Sequence, residues 1–325
     1  MKQESKESIN YFEIVKKAFT LPWKYRFLFW LGVLASFAGG GGSNFSSYST
    51  SSTDLQNLFN KDTDKSSRLL DTLKGAPRVL GVSTDKFSEF ISHNIYWIAL
   101  VILILVLIAI ALLVFGTFAR AGIIRSIPRI EKGEATYFSQ ALFDGKRFFW
   151  RIVAASLLSF IFFLLAILIL GGISVPLFLI NIVLGFVWLV PAILILIITV
   201  IYVGLIIQFW TQIFIVEDQG VISTIKPAIK LVNSRFKEVI IFWLAALVIN
   251  FVYIFAVGIV IFVVVLPFGL LAIGAGIANL IAGIIIGVIA FLIIYLAMLA
   301  ISGYYTAGIT SYWILAYLEI KKIKN

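Results

Sequence analysis

The stretch IVAASLLSFIFFLLAILILGGISVPLFLINIVLGFVWLVPAILILIITVIYVGLIIQFWTQIFIV, from Ile152 to Val216, runs for 65 residues without an Asp, Glu, Lys, Arg or His. A second uncharged run extends for 80 residues from Val239 to Leu318. A surface helix of a soluble domain sets charged residues opposite its apolar stripe, and these runs offer none. One crossing of the hydrocarbon core takes about 20 apolar residues, so each run is long enough to cross a bilayer more than once. The predicted fold is all-α, a polytopic transmembrane helical bundle.

Composition agrees with this and removes several chemistries. Hydrophobic residues make up 61% of the chain and charged residues 13%, about half the charged share of a soluble domain. Cysteine is absent, which excludes disulfides, thiolate nucleophiles and Cys-based metal sites. The one imidazole, His93, precedes the apolar run that starts at Ile95 and reads as an interfacial residue rather than a catalytic one. Proton relays and ion pathways in membranes are built on ionisable side chains, and the two long runs supply none. No HExxH, GxSxG, Walker or dinucleotide-binding motif can be placed in its proper context. The carboxylates Glu131, Glu134 and Asp144 read as a solvated loop. The expectation is a protein that is not an enzyme, with no cofactor and no metal.

The net charge of +10 is explained by where the charges lie. Residues 1–26, 118–151, 217–238 and 319–325 hold 20 of the 26 basic residues and 10 of the 16 acidic ones, while the stretch 39–94 holds six of each. The positive-inside rule makes the first set cytoplasmic, with both termini inside and the chain multi-pass in the cell membrane. Attraction to anionic headgroups then accounts for the basic residues without nucleic acid. Lys16, Lys17, Lys24, Arg147, Arg151, Lys226, Lys230, Arg235 and Lys237 are the expected headgroup contacts.

Tyr11, Phe12, Ile14, Val15, Ala18 and Phe19 recur at helical spacing with Lys16 and Lys17 off that face, which predicts an interfacial amphipathic helix. Pro22 is expected to end it, and Phe27 to Ala38 to form a short first span. A Gly/Ser-rich stretch, GGGGSNFSSYSTSS, follows and behaves in composition as a flexible coil. Residues 54–92 offer one or two small amphipathic helices through Leu55, Leu58, Phe59, Leu69, Leu70 and Leu73. Asn94 to Thr117 is the next span, entered through Tyr96 and Trp97. Gly171, Gly172, Pro176 and Pro191 divide the first long run into spans at about 152–170 and 191–213, with 173–190 as an apolar excursion, re-entrant or lying in the interface. The second run divides alike, 239–265 and 283–301 flanking an excursion at 267–282. Tyr304, Tyr305, Tyr312, Trp313 and Tyr317 are then assigned to an interface.

About six spans result, arranged as three hairpin-like repeats with interfacial amphipathic helices, at 1–134, 135–219 and 220–325. KAFTLPWKYRFLFWLGVL from Lys17 aligns without gaps on KLVNSRFKEVIIFWLAAL from Lys230, and FDGKRFFWRIVAASLL from Phe143 is a looser third copy. Ala121, Gly122 and Ile123 match Ala307, Gly308 and Ile309, each set led by an aromatic residue, Phe118 or Tyr304. Small residues, among them Ala154, Ala155, Ser159, Ala246, Gly283 and Gly287, are expected to allow close helix packing inside the bundle. Gln208 and Gln212, one turn apart, form with Asn250 a candidate polar cleft.

The segment FIVEDQGVISTIKPAIKLVNSRFKEVIIFWLAAL, from Phe214, resembles a pattern found in the membrane domain of glycerophosphoryl diester phosphodiesterases and in related uncharacterised prokaryotic membrane families. Glu217, Gly220, Ser223, Lys226, Lys230 and Arg235 carry the likeness, which covers about 137–322, with Tyr317, Glu319 and Lys321 as its ending. The resemblance implies a membrane domain without the catalytic barrel. Two functions remain open at the level of sequence. One is a non-enzymatic membrane scaffold or partner-binding protein, engaging anionic lipid headgroups and a protein partner or a second copy. The other is a carrier or conduit for a lipid or other amphipathic molecule.

Overall fold

Long runs of Leu, Ile, Val and Phe in lipid leave the backbone no partner but itself, and helix is the outcome. The computed structural model describes residues 9–38, 84–278 and 280–322. Eight helices form among the described residues, and no strand: α1 (Tyr11–Lys24), α2 (Arg26–Phe37), α3 (Thr84–Glu131), α4 (Phe138–Ile180), α5 (Ile182–Val216), α6 (Ile225–Ser234), α7 (Phe236–Ala278) and α8 (Leu280–Lys322). Five of them are long and apolar enough to cross a membrane. The chain is therefore an all-α polytopic helical bundle. α2, at 12 residues, spans only about 18 Å and falls short of the hydrocarbon thickness, so five such helices stand where about six spans were expected. The coil and small helices expected across 39–83 lie outside the described residues, as does Asn279.

The expected excursions are not separate elements. α4 continues unbroken through Gly171, Gly172 and Pro176, and the chain turns only at Asn181, whose backbone is extended. The Asn181 side-chain oxygen accepts the Val183 N–H at 2.8 Å, opening α5. α7 likewise runs through Pro267 to Ala278, and α8 begins at Leu280. Proline removes one backbone hydrogen bond, but in lipid no water competes for the others, so the helix persists. Pro22 also sits inside α1, which ends instead at Tyr25, the residue whose N–H bonds Leu21 O.

Two compact units are present: Met1–Ser43 with Val114–Asn325, and Asn44–Leu113. Of the second, the described part is the leading portion of α3, where Tyr96 and Trp97 are exposed ahead of an exposed apolar shaft. In the first, burial is concentrated toward the charged ends of the helices. α4 buries Ala141, Gly145, Phe148, Ile152, Ala155 and Ser159, alternating steps of four and three that keep one stripe in the core. Ala228, Val239, Phe242 and Ala246 are buried with the same spacing as Ala141, Ile152, Ala155 and Ser159, and Ala18, Leu28, Leu31 and Ala35 repeat it one residue shorter. The segment 304–318, assigned to an interface from its tyrosines, is instead the heart of this core. Tyr312, Trp313 and Tyr317 are almost wholly buried, with the Trp313 ring edge-on to Phe209 at 5.8 Å. The hydroxyls find backbone partners: half-buried Tyr304 donates to Phe19 O and buried Tyr312 to Phe242 O, both at 2.7 Å.

Close crossings rely on glycines that periodicity did not single out. A Cβ on Gly32 would strike the carbonyl of Gly303, and one on Gly145 the carbonyl of Phe118. Gly287, expected to pack inside the bundle, has nothing within 4 Å of where its Cβ would stand. Beyond the core, the side chains of α4, α5 and α7 point outward on most of their circumference, as Leu168, Leu179, Ile198, Phe251 and Phe262 show.

Candidate functional site

The charged ends of the first unit meet around one turn, Glu217 and Asp218, where α5 stops. Helix ends leave their last carbonyls without partners, and here the α3 residue Arg125 supplies donors: its Nη1 reaches Ile215 O at 2.9 Å and Val216 O at 3.1 Å. A cation at that position also offsets the negative end of the helix dipole. Glu217 accepts the Tyr317 hydroxyl at 2.7 Å and the Lys321 ammonium at 2.7 Å, both from α8. Asp218 holds Arg147 at 2.8 Å and Arg151 at 2.7 Å, both from α4. Its φ of 53° lies in the left-handed region, where Asp is among the few side chains tolerated. Phe148 lies beneath three guanidinium groups, those of Arg151, Arg125 and Arg147, at 5.3, 5.7 and 6.0 Å from the ring centre.

Two further ion pairs border this turn. Lys17 on α1 meets Glu131 at the end of α3 at 2.6 Å, and Arg129 meets Asp144 on α4 at 2.5 Å. The segments carrying Lys17, Glu131, Asp144, Asp218 and Lys321 therefore share one end of the unit. Between them opens a cavity of about 950 Å³, lined by Glu13, Lys17, Arg125, Arg129, Lys132, Glu134, Glu217, Glu319, Lys321 and Lys322 among others. Both signs of charge are well represented on its wall, so the cavity has the character of a polar, ion-paired vestibule. Nearby, burial and then Glu238 raise the Tyr11 phenol above its usual pKa, and its ring packs edge-on to Phe242 at 5.0 Å. Among the described residues no group of three or more His, Cys, Asp or Glu stands close enough together to hold a metal ion.

The residues expected to touch headgroups divide into two sets. Lys17, Arg147, Arg151 and Arg235 are engaged within the protein, the last with Glu238 at 3.4 Å. Lys16, Lys24, Lys226, Lys230 and Lys237 are exposed. Gln208 and Gln212 are buried on α5, and the Gln212 side-chain oxygen has no hydrogen-bond partner. Asn250 lies on α7, at the seam with α8. There it accepts the Tyr305 hydroxyl, and Tyr305 stacks on Tyr253 at 3.9 Å. The Glu217–Asp218 hub was missed because its members are scattered from Arg125 to Lys321. The one local signal was the acidic pair closing the long uncharged run.

The fold and this site define a multispanning α-helical membrane protein whose ionised groups gather at one end of its main unit. Residues 14–319 match a family of unknown function, DUF7544, and the chain belongs to that family. No curated protein and no solved structure matches it.

Proposed function

We propose that the protein is a non-enzymatic membrane scaffold that presents its basic end to the cytoplasmic headgroup layer and binds a partner there. The observation that carries this reading is the pairing of charges around Glu217 and Asp218, which ties four helices into a fixed platform and leaves five exposed lysines, Lys16, Lys24, Lys226, Lys230 and Lys237, turned outward. A reactive centre needs groups free to exchange protons or electrons with a substrate, and the carboxylates of this hub are already committed to cations. The asymmetry of basic residues supports a cytoplasmic assignment for this end and for both termini. The likeness to phosphodiesterase membrane domains from Phe214 onward fits a shared cytoplasmic platform of this kind. Purification in mild detergent is expected to yield the chain with a stoichiometric second protein or a second copy, and particles of a single chain alone would overturn the scaffold.

A second reading, a lipid carrier, is favoured by one observation. An apolar groove of about 530 Å³ opens between α2 and the start of α4, lined by Phe27, Trp30, Val33, Leu34 and Phe138. Reconstitution with fluorescent phospholipids decides it: transfer or flipping no faster than in protein-free vesicles removes this reading.

A further inference from the structure

Three buried side chains where α5 meets α8 keep a polar atom without a hydrogen-bond partner among the described residues: Gln212 Oε1 on α5, and Thr310 Oγ1 and Trp313 Nε1 on α8. They are 1%, 3% and 1% exposed. Hydroxyls beside them in the chain behave differently. Thr211 and Ser311 donate to carbonyls of their own helices, Ile207 O at 2.9 Å and Ala307 O at 2.7 Å. Asn250, expected to complete a polar cleft with Gln212, hydrogen-bonds Tyr305 instead. A buried group with no partner is costly, and three of them at one helix contact imply something that satisfies them together.

The two helices bring these groups to one flank of their contact. α5 and α8 both run toward the charged end, where Lys321 meets Glu217. They are pinned twice: Phe209 meets the Trp313 ring edge-on at 5.8 Å, and Glu217 accepts the Tyr317 hydroxyl at 2.7 Å. Gln212 lies three residues beyond Phe209, and Thr310 three before Trp313. At about 100° per residue those steps turn in opposite senses on the two helices. Because the helices are parallel and face each other, both side chains fall on the same side of the ring contact. Long side chains on a helix lean toward its N-terminus, which carries Gln212 and Trp313 toward the level of Thr310.

The chemistry of the three atoms narrows the guest. An indole N–H only donates, an amide oxygen only accepts, and a threonine hydroxyl does either. A bare cation gives the indole nothing to donate to, and a simple anion gives the amide oxygen nothing to accept. We infer that one water molecule is held in this seam, accepting from Trp313 Nε1 and donating to Gln212 Oε1, with Thr310 Oγ1 as its third partner. Three such bonds are the usual complement of a buried water. The site does not depend on the scaffold reading, since it concerns how α5 and α8 are joined and is compatible with any partner.

Thr310→Val and Gln212→Met test the site through the sign of their effect. Each removes one partner of the water and leaves the others facing it, so each is expected to lower the melting temperature in detergent by about 2 °C. The double variant is expected to fall by less than the sum of the two, as for groups that share one partner. In a dry seam each substitution would instead remove an orphaned group and relieve its cost, so an unchanged or raised melting temperature for either variant would overturn the site. NMR of the full chain with isotope-labelled tryptophan supplies a second readout. The indole signal that disappears in Trp313→Phe, or that shifts most in Thr310→Val should the first variant not fold, is expected to show a dipolar cross-peak to water. No such cross-peak at that indole would overturn the site equally.

Discussion

At the scale of single residues, Asp218 concentrates more of the architecture than its neighbours. It follows Glu217 at the close of the long uncharged run, adopts a left-handed backbone and receives two arginines from α4. Asp218→Asn keeps a side chain that tolerates this conformation while removing the charge. Because Arg147 is 63% exposed, solvent screens its pair, and the expected loss is about 1 kcal/mol in all, read as a lowered melting temperature in detergent. Gly145→Leu is expected to cost more, about 1–3 kcal/mol or outright failure to fold, because the new side chain would start inside the Phe118 carbonyl. Gly172→Leu, at an exposed position with nothing within 4 Å of the new Cβ, is the control and should melt with wild type. Sequence reading located the ionised segments but could not pair them. Lys17 with Glu131 and Arg151 with Asp218 join residues far apart in the chain, and no local periodicity encodes that.

At the scale of elements, helix identity was legible and helix ends were not. The apolar runs specify helices by composition, whereas Gly171, Gly172, Pro176 and Pro267 looked like boundaries because they are boundaries in water. In lipid the cost of an unpaired backbone group exceeds their propensity penalty. The tyrosines of 304–318 misled for a related reason. Aromatic residues with a polar tip suit a headgroup layer, but they suit a protein core equally when a carbonyl or carboxylate meets the hydroxyl, as Phe242 O and Glu217 do. Burial gives two short segments a shared spacing at an offset other than that of the sequence alignment. Ala18, Leu21 and Pro22 of α1 stand where Ala228, Leu231 and Val232 stand in α6, and the cap residues are Tyr25 and Arg235. This register lies three residues from the alignment of Lys17 on Lys230. The chain has no cysteine, so introduced ones report topology cleanly. Cysteines at Lys230 and Lys322 are expected to label from the same side of a sealed vesicle and one at Asn181 from the opposite side, and a common side for all three would refute the hairpin assignment.

At the scale of the whole molecule, the dimension that matters is the reach of the α4–α5 hairpin. From Arg151 to the turn at Asn181 the helix rises about 45 Å, close to the full thickness of a bilayer with its headgroups. The tip is apolar: Leu179 is 82% exposed and Ile180 75%. A thinner bilayer would leave those side chains in water or force the hairpin to tilt, at fractions of a kcal/mol per Å. Vesicles made from lipids with acyl chains of graded length are therefore expected to give the highest melting temperature in the thicker bilayers, and a melting temperature indifferent to chain length would contradict the assigned reach.

The same hairpin bears on how the protein enters the membrane. Between Arg151 and Glu217, and again between Glu238 and Glu319, nothing that passes through the lipid carries a formal charge. The turn at Asn181 spends its one amide oxygen on the Val183 N–H. No hydrophilic loop has to be threaded to the far side when α4 and α5 insert together, and α7 with α8 follows the same logic. With the charged ends on the side of synthesis, as proposed above, insertion of these four helices is expected to be a partitioning event in which a pair of helices folds over and sinks as a unit.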